Sequence, residues 1–339
     1  MPGSINFDSL FQKFTGQKVL IIGDVMIDTY LWGKVTRVSP EAPVPIVSGV
    51  IDENRLGGAA NVALNVKAMG AVPILCSVIG GDERGDLFLE LMEQQNLSDI
   101  GLIVDDHRVT TQKTRIISGN QHLLRVDEEM DIILSNRMQE QLLERIESLL
   151  WSGGIDAIIL QDYDKGVLAP RVISGVIDSS GKVAVPVLVD PKFRNFEQYR
   201  SVRLFKPNFK ELVRGLKLDL PKHQFRMISE AMIRYQQEKQ IEILLVTLSE
   251  QGVLVSSNGS YSHIPAFVRD IADVSGAGDT VISVSALCTV AGLAPGEIAA
   301  ISNLAGGQVC ERSGVIPVSR EKLLDECIDH FSNGIEINL

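Results

Sequence analysis

The chain has 339 residues, 45% of them hydrophobic, enough to bury the core of one large domain or two modest ones. Its 43 acidic and 32 basic residues give a net charge of −11, and no lysine–arginine block stands out. That balance argues against a nucleic-acid backbone or an anionic membrane surface as partner, but leaves room for an anionic small ligand in a locally positive site.

In chain order, residues 18–28 read as a buried strand and 29–51 as a proline-bearing, partly alternating stretch. Residues 57–70 read as a helix opened by glycines and closed by Gly70. A strand at 72–80 and a helix at 86–96 follow. Residues 110–129 read as two strands joined by a Ser-Gly-Asn turn. The runs 156–162, 185–190 and 242–249 are continuous apolar strands separated by helical patterns. Strands without polar alternation are buried on both faces, which predicts an α/β fold with a parallel sheet covered by helices. The two irregular stretches, 29–51 and 110–129, predict a small β-sheet lid that covers a cleft at the strand ends. With no linker, repeat or low-complexity segment, one domain over 1–339 is expected. Apolar lid residues Val44, Ile46, Val47, Ile116 and Ile117 suit water poorly, so two lids packed face to face predict a homodimer.

Cys76, Cys288, Cys310 and Cys327 form no CxxC pair and read as buried free thiols of a reducing compartment. The histidines show no HxxxH or HExxH spacing that would support zinc. The opening MPGSINFDSL lacks signal-peptide character, and the apolar run 281–301 is broken by Gly292, Pro295 and Glu297. A soluble, cytoplasmic protein is expected.

Ligands of open parallel sheets bind beyond the carboxyl ends of the strands. Polar groups recur there: Asp24 and Asp28; Asp162, Asp164 and Lys165; Asp190 and Lys192; Asn208 and Glu211; Thr247, Ser249 and Gly252. Each alone fits a helix cap or a solvated loop; their recurrence at one end of the sheet favours a site. The stretch DVSGAGDT, 273–280, is more specific. Gly276, Ala277 and Gly278 expose backbone N–H groups at the mouth of a helix, an arrangement that holds anions. Asp279 beside them would repel an anion. Three jobs are open to it: capping acid, metal ligand, or acceptor of a proton from a nucleophile that attacks a phosphoryl group held by the loop. The last resolves the conflict.

DVSGAGD resembles the C-terminal signature of the ribokinase-like (PfkB) carbohydrate kinases. GGAANVA at 57–63 resembles a second signature, and NFKE at 208–211 the NxxE motif. All three lie in the family's order over almost the whole chain. The resemblance implies a three-layer sandwich, ATP as phosphoryl donor and Mg²⁺, with Thr247, Ser249 and Gly252, which follow an apolar strand, as residues that would meet ATP phosphates or ribose. It makes Asp279 the base and Gly276, Ala277 and Gly278 the anion hole. Asn208 and Glu211 would position Mg²⁺ through water. Asp28 and Asn61 match positions that bind sugar hydroxyls, and Gly57 and Gly58 let backbone approach the ring. Asp24 either touches sugar or fixes the strand end. Asn303 matches the adenine-side position, or is a polar residue satisfied within helix packing. Met26 stands where ribokinase has asparagine, which argues against ribose.

The 24–47 stretch and QHLLRVDEE resemble the members that phosphorylate O1 of D-glycero-β-D-manno-heptose 7-phosphate for the lipopolysaccharide inner core. Many of those carry a fused nucleotidyltransferase; no HxGH-type signature occurs here, which predicts a stand-alone kinase. Lys113, Arg115, Arg125, Lys165 and Lys192 are candidates to hold the sugar phosphate, each otherwise a solvated charge. Another sugar or sugar-phosphate kinase of the family, or a non-catalytic binding regulator, are the competing readings.

Overall fold

A computed structural model describes residues 5–119 and 121–332. The first half of the chain contains α1 (Phe7–Phe14), β1 (Lys18–Gly23), β2 (Val25–Val38), β3 (Pro45–Gly58), α2 (Ala59–Ala68), β4 (Val72–Gly80), α3 (Glu83–Gln94), β5 (Gly101–Asp105), β6 (Gln112–Ser118), β7 (Gln121–Glu128) and α4 (Asn136–Trp151). The second half contains β8 (Ala157–Gln161), α5 (Pro170–Val183), β9 (Val187–Asp190), β10 (Leu204–Phe205), α6 (Phe209–Gly215), α7 (Phe225–Lys239), β11 (Ile243–Thr247), β12 (Val253–Ser257), β13 (Ser260–Ile264), α8 (Ala277–Val290), α9 (Pro295–Val309) and α10 (Arg320–Ser332).

Nine strands form the main sheet in the order β13-β12-β11-β10-β9-β8-β1-β4-β5. Seven run parallel, and β12 and β13 add antiparallel pairs at one edge. Successive side chains of a strand face opposite ways. Val19 and Ile21 of β1 accordingly enter a core with α2, α8 and α9, while Leu20 and Ile22 enter a second core with α4, α5 and α7. Two cores on one sheet give the three-layer sandwich, and explain why its strands read as unbroken apolar runs. All four cysteines are free and buried. No helix among the described residues is long and apolar enough to cross a membrane.

The expected strand over 18–28 is two strands. The chain leaves the main sheet at Asp24, and β2 continues into a second, four-stranded sheet of order β3-β2-β6-β7. That sheet is mixed: β2 and β6 pair in parallel and the other two pairings are antiparallel. Its first hairpin spans 25–58, longer at both ends than the expected 29–51. Gly57 and Gly58 therefore end β3, and the helix begins after them at Ala59. Gly58 has φ 61°, and a Cβ there would stand 2.5 Å from the Asp24 carbonyl oxygen. Of the expected Ser-Gly-Asn turn, Asn120 lies outside the described residues. Ile117 is buried rather than exposed, because it points with Trp32 toward the body of the protein. Leu124 and Val126 supply exposed apolar surface on the outer face instead.

Gly23 closes β1 against β8, where a Cβ would stand 1.9 Å from the Gln161 carbonyl oxygen. Gly23→Ala is expected to cost about 1–3 kcal/mol through overpacking. A chemical-denaturation midpoint equal to that of the unaltered protein would show that the strands part without cost.

Candidate active site

Gly276 caps α8 with φ 79°, a left-handed conformation that glycine adopts without a Cβ penalty. The first N–H groups of a helix lack intrahelical partners, so the turn from Gly276 to Asp279 offers donors and the positive end of the helix dipole, although the Ala277 N–H already leans on the Val274 carbonyl at 3.4 Å. Asp273 fixes the turn from below. Its Oδ1 accepts the Ser275 N–H at 3.0 Å and hydroxyl at 2.8 Å, and its Oδ2 accepts the Gly314 N–H at 2.9 Å.

Asp279 is buried at 4% exposure, and three side chains converge on it. Asn61 donates to Oδ2 at 2.7 Å, and the Tyr163 hydroxyl and the Gln161 amide donate to Oδ1 at 2.6 and 3.3 Å. Burial raises its pKa to about 6, against the lowering effect of the Tyr163 and Asn61 hydrogen bonds. Such a carboxylate is ionised at neutral pH yet a better proton acceptor than an exposed aspartate. Asn61 is wholly buried, and Asn65 takes up its side-chain oxygen. The structure turns the NH₂ group of Asn61, an expected sugar ligand, onto Asp279.

A buried lysine completes the loop's surroundings. Lys206, 2% exposed, pairs with Asp190 at 2.9 Å. A Cβ on Gly278 would stand 3.5 Å from its Nζ, so the ammonium lies against the small-residue turn. Sequence reading missed Lys206, Gln161 and Tyr163. The cue for the last two was available: both flank Asp162, at the end of an apolar strand.

Asp24 does not face the cleft. Its carboxylate accepts the N–H groups of Tyr163, Lys165 and Val167 at 2.9, 3.1 and 3.0 Å, which fixes the turn after β8. Asp162 is enclosed by Asn195 and Tyr199, which donate to it at 3.0 and 2.8 Å.

Register puts the candidate lid residues on one face. Asp28 stands opposite Arg55 and Lys113, Tyr30 opposite Arg115, and Arg115 opposite Arg125. This face turns inward: the Tyr30 hydroxyl accepts the Val315 N–H at 3.1 Å, and Arg55 donates to the Val315 carbonyl at 3.2 Å. Gly57 is required there, since a Cβ would stand 2.1 Å from Asp28 Oδ2. Arg115 pairs with Asp28 at 2.5 Å, Arg125 with Asp127 at 2.9 Å and Lys165 with Glu129 at 2.7 Å. Lys192 pairs with Glu211. Lys113 has no ion pair among the described residues; its Nζ lies 5.9 Å from the centre of the Tyr163 ring, and burial lowers its pKa.

Asn208 and Glu211 form a capping box on α6, with Asn208 Oδ1 accepting the Glu211 N–H at 2.9 Å and Glu211 Oε2 accepting the Asn208 N–H at 2.8 Å. The other Glu211 oxygen takes Lys192. No group of three acidic, histidine or cysteine residues among the described residues could cage a metal. The donor set fits outer-sphere contact with a hydrated Mg²⁺, which retains its waters readily. Thr247 bridges to Asn208 at the end of β11. Ser249 has φ 57°, and Gly252 serves a tight backbone turn, where a Cβ would stand 2.1 Å from the Ile264 carbonyl oxygen. Asn303 on α9 donates to the Pro265 carbonyl at 3.0 Å.

A buried carboxylate, bare amides and a lysine at one helix end make equipment for moving a phosphoryl group to an alcohol. Residues 16–322 match the model of the pfkB family of carbohydrate kinases, and the chain belongs to that family. It is 36% identical over 321 residues to the bifunctional protein HldE of Pelobacter propionicus, covering 94% of this chain and 65% of that protein. It is 37% identical over 307 residues to the bifunctional protein HldE of Helicobacter pylori strain J99, covering 91% and 65%. The chain thus spans just under two thirds of the length of these relatives. Phosphofructokinase-2 from Escherichia coli in complex with substrates and products superposes with a TM-score of 0.75 at 16% identity, over 93% of this chain and 99% of that one. Ribokinase from Arabidopsis thaliana complexed with ribose and ATP gives 0.69 at 18%, over 91% and 99%. At these identities the two structures speak to the fold alone, which is ribokinase-like.

Proposed function

We propose that this chain is one catalytic domain that transfers the γ-phosphoryl group of ATP to O1 of D-glycero-β-D-manno-heptose 7-phosphate, giving the 1,7-bisphosphate used in lipopolysaccharide inner-core synthesis in the cytoplasm. The observation that carries the transfer is Asp279, buried and hydrogen-bonded beside the Gly276–Gly278 turn and Lys206. The sugar O1 attacks the γ-phosphorus, its proton passes to Asp279, and the bond to the ADP oxygen breaks. Backbone N–H groups of the turn and the Lys206 ammonium meet the charge that gathers on the moving group. Mg²⁺, when bound near Asn208 and Glu211, supplies further charge neutralisation at the ATP phosphates. The choice of a phosphorylated sugar is supported by the inward lid face, where Lys113 makes no ion pair among the described residues while its register neighbours Asp28 and Asp127 are taken by Arg115 and Arg125. Asp28 with Arg115 offers the hydroxyl-binding edge. The HldE likeness and the 24–47 stretch support heptose.

ADP release with a panel of sugars tests this. Heptose 7-phosphate is expected to turn over best, with unphosphorylated heptose and fructose 6-phosphate far behind; equal turnover of heptose and its 7-phosphate would refute the substrate. The pH dependence follows from the base. Because the Asp279 pKa is raised to about 6, turnover is expected to be full above that value and to fall with acid below it. An acid limb near pH 4 in a pH–kcat profile would contradict this. The outer lid face, with exposed Leu124 and Val126, supports a homodimer through the lid. Sedimentation at micromolar concentration is expected to give a dimer, and a monomer would refute it.

A further inference from the structure

The two oxygens of Asp279 have different surroundings. Oδ1 accepts both the Tyr163 hydroxyl, at 2.6 Å, and the Gln161 amide, at 3.3 Å. Oδ2 accepts Asn61 at 2.7 Å. A carboxylate oxygen offers two lone-pair directions. Oδ1 has both filled, whereas Oδ2 keeps one. We propose that Tyr163 is a positioning residue for phosphoryl transfer: with Gln161 it closes Oδ1 of Asp279 and leaves Oδ2 as the oxygen that receives the sugar-hydroxyl proton. This inference rests on the reading of Asp279 as base and adds which atom acts and what selects it.

The backbone is built to hold Tyr163 in this place. Its N–H donates to Asp24, and so do the N–H groups of Lys165 and Val167 on the same turn. Asp164 takes φ 61°, costly for a residue with a Cβ, and Asp162 accepts its N–H at 2.8 Å. Gly166 takes φ 95° and passes so close to Ile132 that a Cβ would stand 2.1 Å from its carbonyl oxygen. Tyr163 and Gln161 are two apart around the end of β8 and reach the same oxygen. The Gln161 amide also donates to Asp190 at 3.2 Å, so its NH₂ group is held between the two acids. Burial, followed by the Asp279 charge, pushes the Tyr163 phenol well above its ordinary pKa, which keeps it a donor throughout the working pH range. Removing that donor removes a bond that favours the ionised carboxylate. The other charges facing Asp279 are Asp190 at the end of β9, Lys206 after β10 and Lys192 after β9. None of them changes in a Tyr163 variant.

The test is Tyr163→Phe, which keeps the ring near Lys113 and Lys192 and removes only the hydroxyl. Two readouts are compared with the unaltered protein: the acid limb of kcat against pH, and the titration of the Asp279 carboxyl by ¹³C NMR, assigned by its absence in Asp279→Asn. Both midpoints are expected to move upward by about 1–2 on the pH scale. Turnover at pH 5–6 then falls about tenfold for every full step on that scale by which the limb moves, while KM for ATP and sugar stays put. Should the variant fail to fold, 3-fluorotyrosine placed at position 163 keeps the ring and strengthens the donor, and both midpoints are expected to fall. An unmoved NMR midpoint overturns the proposal, and so does a moved NMR midpoint with an unmoved kinetic limb. If the unaltered protein releases no ADP with any sugar, the base reading itself fails, and the proposal with it; the NMR titration then still reports whether the Tyr163 hydroxyl sets the ionisation of Asp279.

Discussion

Asp279→Asn is expected to lower kcat by about 10²- to 10⁴-fold while sugar and ATP still bind. The substitution keeps shape and removes the proton acceptor. It also disturbs three donors: Asn61, Gln161 and Tyr163 converge on a carboxylate, and an amide at that place turns an NH₂ group toward one side of the set. Binding is read by calorimetry with each ligand and turnover by ADP release. The split between them is the informative part. Loss of binding together with turnover would make Asp279 a structural anchor for Asn61, Gln161 and Tyr163, and unchanged turnover would remove it from the mechanism.

Lys206→Met is expected to be the most damaging single change to stability near the site, and to lower turnover as well. Lys206 and Asp190 are both almost fully buried and stand 2.9 Å apart. Breaking such a pair from one side leaves a buried charge uncompensated and costs about 3–5 kcal/mol. The double variant Lys206→Met with Asp190→Asn removes both charges and is expected to regain much of the denaturation midpoint. It is not expected to regain activity, because the turn at Gly278 still lacks the ammonium beside it. A single variant as stable as the unaltered protein would show that the pair is solvated. A double variant with full turnover would show that Lys206 acts only as partner to Asp190.

What the sequence made legible follows from how far apart the interacting residues lie. Apolar runs such as 156–162 and 242–249 announce strands buried on both faces, and each proved to be one. The glycine-flanked turn at 276–278 was legible because small residues before a helix have few other uses. The break at Asp24 was not. One aspartate inside KVLIIGDVMID leaves the apolar run intact, and its reason is three N–H groups from residues 163–167. Lys206 and Tyr163 were hidden for the same cause: a lysine before a proline and a tyrosine between acids carry no local period. Only the parallel packing of β8, β9 and β10 brings them to Asp279. The NFKE motif was seen, but its geometry is a capping box whose acid also meets Lys192, a partner no spacing could name. Asn61 was placed near the site, but its burial and its bond to Asp279 were not legible, because a buried amide reads like an exposed one in a motif.

The most direct measurement of the phosphoryl-transfer geometry is a crystal structure with a non-hydrolysable ATP analogue and heptose 7-phosphate bound together. The terminal phosphate is expected within hydrogen-bonding reach of the amides of residues 276–279 and of Lys206 Nζ, with the sugar O1 against the Asp279 carboxylate. A terminal phosphate held elsewhere, or an acceptor hydroxyl with no path to Asp279, would contradict it.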